Sequence, residues 1–213
     1  MGKFMNVQIW ARPVAAVFGF AACSLMAVPG WAVQPEESYL GLGFGASEFS
    51  QMSELTSSWP DTSLDTVQES DLAWKLYTGH QFSNWLAVET GWVDFGAVRA
   101  SAVHIGGDSV SMKITPSGFE FSALATASIG DSVQVFARGG ALAWRSSQKI
   151  EAGGALAAED FSGPDKSGFA AAFGLGVHWD LGARNSLRAE WQKYLDVAGG
   201  DPETWLLSVA RRY

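Results

Sequence analysis

A chain of 213 residues has room for one domain and a short leader; at 47% hydrophobic and 17% charged it is neither disordered nor a typical cytosolic protein. Its net charge of −8 argues against nucleic acid as a partner, because phosphate binding needs clustered lysine and arginine. The single cysteine, Cys23, excludes a disulfide framework and any cysteine-based zinc site.

The first segment reads as an address. Lys3 and Arg12 stand in a start without acids, an apolar stretch runs from Val14 to Val28, and Pro29-Gly30-Trp31-Ala32 follows. A positive start, a short apolar core and small residues at Gly30 and Ala32 predict a secretory signal peptide over residues 1–32, cleaved after Ala32. Its removal takes away two positive charges and no negative ones, so the mature domain, residues 33–213, carries about −10. Beyond residue 32 no run approaches the roughly 20 apolar residues that a membrane helix needs.

From there on the hydrophobic period is two. Tyr39 to Ala46 sets Leu40, Leu42 and Phe44 against Gly41, Gly43 and Gly45. Leu72 to Phe82 opposes Leu72, Trp74, Leu76 and Phe82 to Lys75, Tyr77, Gly79 and Gln81, and Leu86 to Trp92 opposes Leu86, Val88 and Trp92 to Ala87, Glu89 and Gly91. Phe119 to Ile129 and Val133 to Ala143 continue the alternation, with Glu120, Ser122, Arg138 and Gly140 on the polar side. In Ser167 to Leu181 one face is Phe169, Ala171, Phe173, Leu175, Val177, Trp179 and Leu181, while the other is glycine, alanine, His178 and Asp180. Leu187 to Trp191 and Trp205 to Tyr213 complete the set.

That makes eight strands, each near the 9 to 11 residues a tilted membrane strand requires. A soluble sheet also alternates, but it points bulk inward and charge outward. Here the bulky face is wholly apolar and the opposite face small or polar, which fits lipid outside and a crowded lumen inside. Ser83-Asn84, Gly130-Asp131 and Gly182-Ala183-Arg184 read as tight turns; residues 48–70, 98–113, 146–166 and 196–203 read as longer polar loops. The expected fold is all-β: an eight-stranded antiparallel up-and-down transmembrane β-barrel with aromatic girdles at its two rims.

Several segments resemble the OmpA-type eight-stranded barrel family. They are Trp74-Lys75-Leu76-Tyr77-Thr78-Gly79-His80-Gln81-Phe82, Glu89-Thr90-Gly91-Trp92-Val93-Asp94-Phe95-Gly96, Arg138-Gly139-Gly140-Ala141-Leu142-Ala143-Trp144-Arg145, and Gly176-Val177-His178-Trp179 through Leu187-Arg188-Ala189-Glu190-Trp191-Gln192. The resemblance covers essentially the whole mature chain and implies a lumen plugged by ion pairs. The matching positions are Glu89, Arg138, Arg188 and Glu190, and parity independently turns all four inward, together with Lys75, Glu120 and His178. Buried charges cost several kcal/mol each unless paired, so acids and bases should alternate around the lumen. His178 stands where the family has an acid, and the strand from Phe119 to Ile129 offers Glu89 no inward lysine, so the family's switchable pore is not expected. The terminal Tyr213 matches the aromatic ending that implies recognition by the barrel assembly machinery. Arg211, outward near the rim, could snorkel.

Catalytic constellations are sparse. His178 and Asp180 share a face two residues apart, but ionic networks often mimic sites, and no serine or threonine is spaced beside them. The acidic loops show no ligand spacing for calcium, and no cofactor or metal is expected. The chain therefore reads as a non-enzymatic outer-membrane protein of a Gram-negative envelope, in contact with outer-membrane lipid and lipopolysaccharide, presenting loops for surface contact or adhesion. A narrow channel is the first alternative, and a lipid-modifying enzyme the second.

Overall fold

The structure is a computed structural model and describes residues 37–50, 62–68, 70–104, 109–152 and 161–213. The expected signal peptide lies outside the described residues. Ten strand segments follow one another: β1 (Glu37–Ser50), β2 (Thr62–Gln68), β3 (Ser70–Ser83), β4 (Leu86–Asp94), β5 (Val98–His104), β6 (Ser109–Ser128), β7 (Val133–Ala152), β8 (Phe161–Asp180), β9 (Asn185–Leu195) and β10 (Asp201–Arg212). Every pairing is antiparallel. β1 pairs with β3 on one side and with β10 on the other, so β1, β3, β4, β6, β7, β8, β9 and β10 close into a ring. Leu42 shows the closure at one residue, opposite Leu76 on β3 and Val209 on β10.

β2 and β5 are not extra walls. β5 continues β4 beyond a break at Phe95-Gly96-Ala97, β2 leads into β3, and the two pair with each other above the ring, with β5 also paired to β6. Gly96 explains the break. Its φ is +73°, the left-handed region, and a Cβ there would lie 2.6 Å from the Leu72 carbonyl oxygen. Asp94 accepts from the Gly96 N–H at 2.8 Å and Asp71 from the Ala97 N–H at 2.8 Å, so the freed backbone donors keep partners.

Side-chain direction follows the sequence period. Leu40, Leu42, Phe44, Phe119, Phe121, Phe173, Leu175, Val177, Trp205, Leu207 and Val209 are exposed on the outer wall, and Phe169 is 84% exposed. Lys75, Glu89, Glu120, Arg138, Arg188 and Glu190 are buried inside. Water would penalise that outer wall and hydrocarbon does not.

The lumen-facing glycines have a packing reason. Tyr77 stands opposite Gly41 and Tyr39 opposite Gly79, in register across β1 and β3. A Cβ on either glycine would sit 2.3 Å from the Cζ of the facing tyrosine, so each ring lies flat over its glycine. Phe136 over Gly176 and Trp144 over Gly168 repeat the pairing across β7 and β8. Large rings fit a narrow lumen because the next strand gives up its side chain.

The expected long loops need correction. Residues 98–113 and 146–166 are largely strand: β6, β7 and β8 each run 20 residues, well past the 9 to 11 needed to span a bilayer. The alternation fades there in Ser146-Ser147-Gln148-Lys149 because both faces of the extension are polar. Residues 196–203 also shrink to a tight turn, with positive φ at Asp196, Ala198 and Gly199, before β10 begins. Of residues 48–70, those described are strand: the end of β1, β2 and the start of β3.

Replacing Gly79 by alanine should push the Tyr39 ring aside and destabilise the barrel by about 1–3 kcal/mol, the usual cost of overpacking. Urea midpoints of the heat-modifiable folded band would measure it; an unchanged midpoint would mean the ring does not depend on that space.

Candidate functional site: the filled lumen

The barrel interior divides into tiers along its axis. At the tight-turn end, Arg212 of β10 holds Asp180 of β8 at 2.6 Å and Glu37 of β1 at 3.3 Å. His178 joins this group, 3.2 Å from Asp180 and 3.4 Å from Arg212. Its carboxylate partner is therefore Asp180, at the mouth rather than among the central charges. Arg212 was not singled out from the sequence, because it follows an outward arginine in Arg211-Arg212 and only the pairing register shows which of the two turns inward.

Midway up, three bases meet three acids. Lys75 lies 2.8 Å from Glu120 and 3.9 Å from Glu190. Arg138 reaches Glu190 at 2.8 Å, Glu89 at 2.9 Å and Glu120 at 3.1 Å. Arg188 binds Glu89 at 2.5 Å and approaches Glu190 at 3.7 Å. All six residues are at most 5% exposed. The sum of charge is zero, which is what a dehydrated cluster requires. Glu89 has two arginine partners although no lysine reaches it: Arg188 rises from β9 and Arg138 from β7.

Neutral side chains add to the coordination. Tyr39 donates to Glu89 at 2.7 Å, and Tyr194 to Glu120 at 3.0 Å. Gln192 accepts from Lys75 and donates to Glu120, at 3.0 and 3.1 Å. The Arg188 guanidinium lies 4.8 Å from the Tyr77 ring centre and 4.5 Å from that of Phe136, so cation–π contact covers it where carboxylates do not. Inward parity was a usable signal for Tyr39, Gln192 and Tyr194, but uncharged residues carry no sign from which a partner could be inferred.

Above the charges sits an apolar layer. Phe49, Val93, Phe95, Val98, Leu142, Ala170, Ala172, Tyr194 and Val197 pack together, with Ile114, Trp144 and Ala198 against them. Phe95 stacks edge-on to Tyr194 at 4.9 Å and to Phe49 at 6.1 Å. A face expected to be small or polar is thus greasy toward the long-strand end. Val93 and Leu142 hold inward parity there, and Phe95 joins them at the β4–β5 break.

Each central carboxylate is engaged by bases, and among the described residues no group of histidine, cysteine and acid side chains could hold a metal ion. One further contact lies on the outer wall at the tight-turn end, where Ser38 Oγ is 3.0 Å from His80 Nδ1 in directly paired positions of β1 and β3. Sequence spacing could not bring together residues 42 apart.

A closed, all-antiparallel eight-stranded barrel with apolar outer walls and a plugged lumen defines an outer-membrane β-barrel protein. The chain belongs to the OmpA-like transmembrane domain family, whose profile matches residues 33–205. Among solved structures it is similar to Ail, the attachment invasion locus protein of Yersinia pestis, crystallised with the heparin analogue sucrose octasulfate; the match has a TM-score of 0.51 at 14% identity and covers 84% of this chain and 100% of that one. It is similar also to Neisserial surface protein A, with a TM-score of 0.50 at 11% identity over 84% of this chain and 100% of that one. A search of curated proteins found no match.

Removing one partner from the central cluster leaves buried charge uncompensated, so Arg138→Ala should cost about 3–5 kcal/mol. Lys193→Gln, which breaks an ion pair with Glu203 on the outer wall, should leave the same urea midpoint nearly unchanged. Equal effects of the two substitutions would show that the lumen cluster is not what holds the barrel.

Proposed function

We propose that this protein is a non-enzymatic barrel of the outer membrane that supports the envelope and raises tall strand extensions for surface contact. The observation that carries the reading is the doubly filled lumen: a neutral cluster of three acids and three bases lies beneath an apolar layer. Water and ions have no favourable path through such an interior, and charges held this tightly are not free to relay protons. On this reading residues 1–32 direct export and are removed, the tight turns face the periplasm, and the long strands face outward. Tyr213, 80% exposed at the end of β10, serves as the assembly signal, and lipopolysaccharide surrounds the outer half of the wall.

The extensions suit adhesion because β6, β7 and β8 lift their connections well clear of the bilayer. Removing residues 150–163, the outer ends of β7 and β8 with the connection between them, should lower binding to host or neighbouring surfaces while the folded gel band persists.

Purified protein in planar bilayers should give a flat current record, and Arg188→Ala should be needed before steps are seen. Steps in the unmodified protein would replace this reading with a channel. Lipids from cells that make the protein should match those from cells that do not, with Ser38→Ala and His178→Ala without effect. Deacylated lipid A that vanishes with either substitution would make the protein an enzyme.

A further inference from the structure

Beyond the apolar band, the outer wall of β5, β6 and β7 carries cations in register. Arg99 stands opposite Lys113, and Lys113 opposite Lys149, so one row across three strands is Arg-Lys-Lys. All three are exposed. Directly opposed side chains have Cβ atoms about 5 Å apart, and like charges there are destabilising. A sheet that tolerates this arrangement gains by it only if something anionic covers the row.

Among the acids whose side chains are described, Asp71 alone meets the row, and only at its Arg99 end. Asp71 approaches Arg99 at 3.5 Å but is also spent on the N–H groups of Leu72 and Ala97. Asp94 is turned onto the Gly96 N–H, and the exposed Asp165 on β8 makes no ion pair with the row. Among the residues whose side chains are described, Lys113 and Lys149 have no carboxylate within ion-pair distance.

Four residues down β7, about 10 Å nearer the membrane on a tilted strand, Arg145 faces the same way. Its guanidinium lies 5.5 Å from the Trp92 ring centre. It overhangs an open hollow lined by Trp92, Ala143, Arg145, Ser167 and Phe169, at the upper edge of the lipid-facing wall. Apolar floor, arginine at the rim and lysines above it reproduce, in order, the acyl chains and phosphates of an anionic glycolipid.

We propose that this wall is a binding site for the phosphorylated headgroup of an outer-leaflet glycolipid, with Arg145 and the Lys113–Lys149 pair taking its phosphates. The site rests on the orientation given above, in which the long strands face outward. A lipid fits better than a soluble polyanion because the cations continue the membrane-facing wall and are not gathered at the strand tips. Arginine and lysine bonds to phosphate are charge-assisted and among the stronger hydrogen bonds available.

The test uses the full chain refolded in detergent and titrated with diphosphoryl lipid A or with the same lipid enzymatically dephosphorylated, bound lipid being counted by native mass spectrometry. The wild type should bind the phosphorylated form at least about tenfold more tightly, and K113Q/K149Q and R145Q should each lose most of that preference. K193Q, on another part of the wall, should keep it. Equal affinity for the two lipids in the wild type, or an undiminished preference in K113Q/K149Q, overturns the proposal. Displacement of the lipid by dextran sulfate at matched charge overturns it too, by assigning the row to soluble polyanions. The heat-modifiable band is scored in the same samples: its absence in the wild type refutes the barrel reading itself, whereas a variant that fails to fold leaves the wild-type comparison of the two lipids to decide.

Discussion

A strand surrounded by hydrocarbon has no water to take its N–H and C=O groups, so each edge must find another strand. In this protein the first strand supplies the solution by pairing on both sides, with β3 and with β10, and everything else follows from that ring. Eight strands enclose a space only wide enough for side chains. The interior must therefore be filled with no room to spare, by residues that tolerate one another without water. The pairs of tyrosine over glycine answer the geometric half of this demand. The balanced cluster around Arg138 answers the electrostatic half.

Those two answers are linked through single residues. Tyr39 spreads across Gly79 and, from that position, donates to Glu89. Tyr77 spreads across Gly41 and lies beneath the Arg188 guanidinium, which itself binds Glu89. Glycine at 41 and 79 thus does not loosen the sheet; it sets where two rings lie, and the rings set where the charges meet. A buried ion cluster is weak evidence for stability by itself, since apolar packing can serve as well. The apolar layer of Phe49, Phe95 and Tyr194 uses just such packing in the same lumen. What the ionic tier adds is register, because a strand slipped by one residue would place Glu89 or Arg138 in lipid.

Much of this was legible from residue order alone. Period two separated lipid-facing from lumen-facing residues across all eight strands, since each face meets one environment over the thickness of the membrane. Parity also brought Lys75, Glu89, Glu120, Arg138, Arg188 and Glu190 to a common interior. It could not say that His178 would settle beside Arg212 at the mouth, because height along the axis depends on strand stagger, which no single segment records. Nor did it reveal the length of β6, β7 and β8. Where both faces become polar the alternation vanishes, and Ser146-Ser147-Gln148-Lys149 reads as loop although its backbone pairs with β6 throughout.

The same loss of alternation hid the outer row of cations. Arg99, Lys113 and Lys149 are far apart in the chain, and each taken singly is an ordinary exposed charge on a polar stretch. Only the pairing of β5 with β6 and of β6 with β7 sets them side by side. Their placement runs against the sign of the protein, since a chain of charge −8 that spreads its acids through its connections has stacked bases on one wall. Net charge governs how the whole molecule meets distant partners, whereas a local row governs what can lie within a Debye length of about 8 Å. An acidic protein can thus repel anionic polymers at a distance and still hold a phosphate against its flank. The distinction that matters is between charge spread along the connections and charge fixed by a hydrogen-bonded ladder, and here the ladder carries the positive sign.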